Sequence, residues 1–169
     1  RARFGESKLR SFSDGWRHLR FILLYSPLLL FLLPGLILSG FGILGIIIFY
    51  FSNPNIFGFN FYIHPMFIFS LMIILGYQLV AFSAFSKIYA ISHLGDHNQL
   101  IEGLFKKITI ERAGILGLII ILTGIFIYIY IFIKWLASDF GQLNEIKNSI
   151  MAMTLLVIGV QTFFSAFMF

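Results

Sequence analysis

FILLYSPLLLFLLPGLILSGFGILGIIIFYF, residues 21–51, contains no Asp, Glu, Lys, Arg or His. A helix needs about 20 apolar residues to cross the hydrocarbon core of a bilayer, and this run exceeds that length. Its hydrophobic residues do not alternate. A closed barrel, the other architecture that satisfies its backbone inside lipid, requires alternating segments of about ten residues. Three further stretches are long and apolar enough, so four spans are predicted, at 27–51, 65–86, 113–133 and 149–169. The fold class is all-α integral membrane protein.

Composition agrees. The 169 residues are 59% hydrophobic and only 11% charged, with 22 Phe and a mean hydropathy of +0.95, whereas soluble domains carry about 25% charged residues. Disorder, collagen-like repeats and a nucleic-acid-binding domain are excluded despite a pI near 9.6; no nucleic-acid partner is expected. With no Cys, there are no disulfides, thiolate metal sites or thiol nucleophile.

Lys and Arg set the orientation. Residues 1–20 hold six basic residues against Glu6 and Asp14, and the 87–112 connection holds Lys87, Lys106, Lys107 and Arg112. Residues 52–64 have neither Lys nor Arg. The positive-inside rule predicts cytoplasmic termini and a cytoplasmic middle connection, with aromatic-rich loops on the other side.

Two amphipathic segments are expected on the cytoplasmic surface. In 11–25, preceded by a basic stretch at 1–10, Leu9, Phe12, Trp16, Leu19 and Leu23 recur at spacings of three and four, with Arg10, Arg17 and Arg20 elsewhere around the helix. In about 98–108, Leu100, Ile101, Leu104, Phe105 and Ile108 share a face beside Lys106 and Lys107. Plain anchoring accounts for both. The functional alternative is that Arg10, Arg17, Arg20, Lys106 and Lys107 gather an anionic headgroup or a phosphate.

Pro34-Gly35 is expected to kink the first span, and the small residues from Gly35 to Gly45 to pack within the bundle rather than form a dimer seam. A homo-oligomer through that seam is the lesser alternative. Gln78 and Gln161 are read as interhelical hydrogen-bonding groups. No Asp or Glu lies between Arg20 and Lys87 or between Arg112 and Asp139, which disfavours an ion-coupled transporter. His93 and His97, four apart, lack a third ligand at metal spacing. No Ser–His–Asp pattern, phosphate loop or Asp-x-Asp motif occurs, so these residues carry no catalytic set. Arg3, Ser7 and Lys8 combine a guanidinium, a hydroxyl and an ammonium suited to a phosphate; a basic tail beside a membrane is the bland account.

The string Arg3-Phe4-Gly5-Glu6-Ser7-Lys8-Leu9, running on through Ser11-Phe12-Ser13-Asp14-Gly15-Trp16-Arg17-His18-Leu19-Arg20-Phe21, resembles a junction in family-2 glycosyltransferases of the polyprenyl-phosphate sugar synthase type. There the catalytic domain meets the membrane; dolichyl-phosphate mannose and glucose synthases are similar. Ile108-Thr109-Ile110-Glu111-Arg112-Ala113-Gly114 resembles the opening of that family's third helix, and Gly159-Val160-Gln161-Thr162 its fourth. The resemblance implies the C-terminal membrane region of an enzyme that moves a hexose from a nucleotide sugar to an undecaprenyl or dolichyl phosphate at a bacterial inner membrane. It implies that Arg3, Ser7 and Lys8 hold the lipid phosphate or the donor diphosphate. It places the nucleotide-sugar site, with its Mg or Mn ion, in a catalytic domain outside these 169 residues, so this stretch alone should be inactive. The competing reading is a stand-alone four-span scaffold or lipid-translocating partner of a glycosylation system.

Overall fold

The structure, a computed structural model, describes residues 14–18, 28–52, 55–56, 59–60, 62–94 and 109–168. Four long helices dominate: α1 (Leu33–Phe51), α2 (His64–Leu94), α3 (Ile110–Ala137) and α4 (Ile146–Ala166). All four are long and apolar enough to span a bilayer. Between α1 and α2 lies a minimal antiparallel hairpin, β1 (Asn55–Ile56) with β2 (Phe59–Asn60).

The boundaries differ from the sequence expectation in ways that local chemistry explains. Leu28–Leu32 is a π-helical segment, and Pro34 occupies the first turn of α1. The π segment runs without a break into α1, so Pro34 lies within a continuous helix; its nitrogen cannot donate to the carbonyl one turn back, and the widened turn before it is where the regular ladder is interrupted. Pro65 sits at the start of α2. No Pro or Gly interrupts residues 77–94, and α2 runs on past 86 to Leu94. Glu111 in the first turn of α3 suits the positive end of the helix dipole, and α3 reaches Ala137 rather than 133. The fourth helix is shifted toward the N-terminus, to 146–166.

Glycine decides the pairing. A Cβ on Gly42 would stand 2.6 Å from Ile73 Cγ1 and 2.7 Å from the Phe69 carbonyl, and one on Gly76 would meet the Ser39 amide at 2.6 Å. Only a missing side chain lets α1 and α2 approach so closely. The expectation of packing within the bundle is met at Gly35, Gly42 and Gly45, whereas a Cβ on Gly40 would meet nothing within 4 Å. Gly117 against Phe163, and Gly159 against Ile121, join α3 to α4 in the same way. Both pairs are antiparallel.

The pairs are joined by hydroxyls. Ser70 meets Thr154 at 2.6 Å and Tyr77 meets Thr162 at 2.7 Å, which sets α2 parallel to α4. Thr154 and Thr162 each also bond the carbonyl four residues back, Ile150 and Ile158, at 2.7 Å. A threonine has one hydroxyl proton; with it committed to the carbonyl, Ser70 and Tyr77 are the donors. A small apolar core of Ile46, Phe49, Met66, Ile73 and Ile150 fills the hairpin end. Elsewhere the helices turn large apolar side chains outward, Phe126 being 71% exposed and Phe41 62%, as lipid-facing surfaces do.

At the hairpin end Lys147 donates to the Phe49 and Tyr50 carbonyls at 2.8 and 3.3 Å, satisfying carbonyls that α1 leaves unpaired at its C-terminus. Tyr50 donates to Asn148 Oδ1 at 2.7 Å, Asn148 to Glu145, and Lys134 pairs with Glu145. After α3 the chain turns through positive φ at Asp139 (51°) and Phe140 (60°). Asp tolerates that region better than Phe; the Phe140 ring is held edge-on to Trp135 at 4.9 Å.

Candidate functional site

The helix registers define a second end. Gly35 lies against 76–80, Gly117 against 159–163, and Tyr77 against Thr162. Extended along the axes, these pairings bring the π segment, the start of α3 and the end of α4 to about the level of residue 84 of α2. From there α2 continues for about ten residues, about 15 Å at 1.5 Å per residue. Lys87 and Arg112 both belong to this end, here called the basic end.

Just inside it, between the π segment, α2 and α4, lies a groove of about 640 Å³. Phe31, Phe82, Phe85, Phe164 and Met168 make its apolar walls. Phe31 and Phe82 meet edge to face at 5.0 Å. Phe82, Phe164 and Met168 are 54%, 65% and 69% exposed, so the groove opens sideways, toward lipid. Its α2 wall spans residues 77–85, about 12 Å of helix, which is one stretch of extended hydrocarbon.

The polar members of the groove's lining are Tyr77, Gln78, Gln161 and Ser165. The sequence predicts a bond from Gln161 across helices, but its buried Oε1 has no partner among the described residues, and nor has the Ser83 hydroxyl. A buried acceptor left unpaired costs about 1–3 kcal/mol, so Gln161 calls for a donor brought by water or by a ligand. Gln78 is exposed in the groove.

Most of the residues singled out from sequence lie outside the described segments: Arg3, Ser7, Lys8, Arg10, Arg20, Lys106 and Lys107, with the amphipathic segment at 98–108. Of the 11–25 segment, residues 14–18 are helical, and Arg17 and Trp16 are exposed. Lys87, assigned from sequence to a loop, is instead a residue of α2 and is 7% exposed, one turn beyond Ser83. The uninterrupted helical run to Leu94 is the signal that could have placed it. The groove aromatics were hidden among 22 Phe, of which Phe41, Phe67, Phe126 and Phe132 are simply exposed along the helices. The described residues hold no group of three His, Cys, Asp or Glu that could ligate a metal, so no step involving Mg or Mn is assigned to them.

The described residues thus form a four-span helical membrane domain with one basic end and a lipid-facing groove beside it. The chain belongs to the glycosyltransferase family 2 C-terminal transmembrane region, which residues 84–169 match. It is also 32% identical over 166 residues to the low-salt glycan biosynthesis hexosyltransferase Agl6 of Haloferax volcanii, an alignment covering 98% of this chain and 40% of that protein. The chain thus spans about two-fifths of the curated relative it matches. No solved structure matches it.

Proposed function

We propose that this chain is the membrane-anchoring and lipid-acceptor domain of a glycosyltransferase that moves a hexose from a nucleotide sugar to a polyprenyl phosphate. The observation that carries the reading is the groove's position. It is apolar, open to the bilayer, and lies immediately inside the end of the bundle to which Lys87 and Arg112 belong. A prenyl chain lying against Phe31, Phe82, Phe164 and Met168 carries its phosphate toward that end. On this reading Arg3, Lys8 and the basic residues of the two surface segments neutralise it, and Ser7 donates a hydrogen bond to it. Hydrocarbon gains little by leaving lipid for protein, so the groove acts by shape and orientation, and charge supplies the hold. Family membership and the hexosyltransferase relative support the sugar chemistry. The positive-inside distribution supports a cytoplasmic basic end, and a nucleotide-sugar-binding catalytic domain with a divalent metal is the partner that completes the reaction.

The test is reconstitution of the full-length enzyme in nanodiscs with labelled nucleotide sugars and polyprenyl phosphate. The expected product is a hexose-bearing lipid. Transfer that proceeds equally without the lipid phosphate would overturn the acceptor role.

A further inference from the structure

The hairpin end carries a second hollow, of about 500 Å³, lined by Tyr50, Tyr62, Asn144, Glu145, Lys147 and Asn148. It is separated from the groove by most of the length of α4. Its volume falls within the range of about 300–1,000 Å³ usual for small-molecule sites. It is more polar than the groove: two phenol rings, two amides, one carboxylate and one ammonium stand around it, with Ile63 as its aliphatic member.

The polar groups hold one another in place. Tyr50 donates to Asn148, Asn148 to Glu145, and Lys134 braces Glu145 from α3. Lys147 is turned onto the Phe49 and Tyr50 carbonyls. Both formal charges lining the hollow are thus engaged by protein groups. The two rings and the Asn144 amide remain to face a ligand, with the second N–H and lone pair of Asn148 and the further lone pairs of the braced carboxylate. The Tyr62 side of the hollow is open, that residue being 61% exposed, and Asn144 is exposed beside it. An array of fixed acceptors and donors next to an aromatic face matches a ring with hydroxyls on its edge and C–H groups on its face. It suits a phosphate poorly, because the cations are already occupied.

We propose that this hollow binds a neutral hexopyranose at the end of the bundle opposite the groove. Two sources present that chemistry: the headgroup of a lipid-linked hexose in the leaflet at the hairpin end, or a soluble saccharide. The choice of a hexose rests on the function proposed above; the hollow and its hydrogen bonds do not.

The test uses the full-length enzyme in nanodiscs, photolysed with diazirine-tagged dodecyl glucoside and mannoside and with their methyl counterparts, followed by peptide mapping. Crosslinks are expected on Tyr62 and on residues 144–148. Tyr62→Ala and Asn144→Ala should each lower the yield about fivefold or more, the scale of one lost ring or amide contact. Tyr62→Phe, which keeps the ring face, should stay within about twofold by the same reasoning. Thermal unfolding of each variant checks that the bundle is intact. Crosslinking by the dodecyl hexosides alone assigns the lipid source, and equal crosslinking by the methyl hexosides assigns the soluble one. Absence of crosslinks at these residues, or yields unchanged in both alanine variants, overturns the proposal. Hexose transfer to polyprenyl phosphate is measured on the same preparation. Crosslinking without transfer removes the enzyme reading and leaves the hollow standing; transfer without crosslinking here removes the hollow alone.

Discussion

The Tyr77 phenol donates to Thr162 Oγ1 at 2.7 Å, and the Thr162 hydroxyl in turn donates a hydrogen bond to the Ile158 carbonyl. This two-bond relay, with its Ser70–Thr154 counterpart about two turns away, fixes the register between the α1–α2 and α3–α4 pairs. Inside lipid such bonds contribute about 0.6 kcal/mol on average and at most about 1.7. Tyr77→Phe and Thr162→Val should therefore each lower the unfolding temperature modestly. In a double-mutant cycle the two losses should be sub-additive, because each variant already removes the shared bond. Fully additive losses would mean that the pair is uncoupled.

The glycine seams should be far less tolerant. Gly117→Leu forces side-chain atoms into the Phe163 backbone, where even a Cβ would stand 2.5 Å from the amide nitrogen. Backbone cannot yield as a flexible side chain does, so α3 and α4 must separate. Gly40→Leu adds its side chain where a Cβ meets nothing within 4 Å, and should be neutral. Size-exclusion profiles and melting temperatures in detergent compare the two; equal behaviour would contradict the seam.

The contrast shows what was legible in the sequence. Four spans follow from length and hydropathy alone, since lipid demands a minimum apolar run wherever it is crossed. The close packing of Gly35, Gly42 and Gly45 was legible too, because only small residues permit such approach. The ends were not. Lys87 looks like a loop residue by charge, yet nothing after Gly76 breaks the helix before Gly95, and α2 continues past the level of its neighbours. The groove was illegible for a different reason. Phe82 and Phe164 line it, whereas Phe126 simply faces outward, and composition cannot tell one phenylalanine from another.

Acid should loosen the hairpin end. The hydrogen bond from Lys134, and then that from Asn148, hold the Glu145 carboxyl below the usual carboxylate range. A carboxyl depressed in the folded state contributes stability that is complete above its unfolded pKa, about 4.3, and lost as pH falls through the lower folded value. The melting temperature should therefore fall between pH 6 and pH 3 by more in the parent than in Glu145→Gln. Identical pH slopes would show that the Lys134–Glu145 pair contributes nothing.

Blocking the groove should be felt by the lipid and not by the nucleotide sugar. Ala81 lines it, and Ala81→Trp places a large ring where the proposed prenyl chain lies. Since the effect is steric exclusion, the apparent KM for polyprenyl phosphate should rise about tenfold, equivalent to about 1.4 kcal/mol, with the donor KM unchanged. A rise confined to the donor would move the acceptor elsewhere.

The phosphate end of the same lipid gives the last prediction. In the full-length enzyme, Arg3→Ala or Lys8→Ala should depress hexose transfer far more than membrane insertion. A hydrogen bond to a charged group contributes about 1.5–3 kcal/mol, or roughly tenfold to a hundredfold in rate when it forms fully in the transition state. Insertion rests on four apolar helices and is little altered by one charge. If these residues served topology alone, turnover per inserted molecule would stay near the parent value. Initial rates are measured on purified, correctly inserted variants at saturating donor and varied lipid. A rate and an apparent lipid affinity both within about twofold of the parent, under 0.5 kcal/mol, would remove Arg3 and Lys8 from the phosphate site and leave them as markers of orientation.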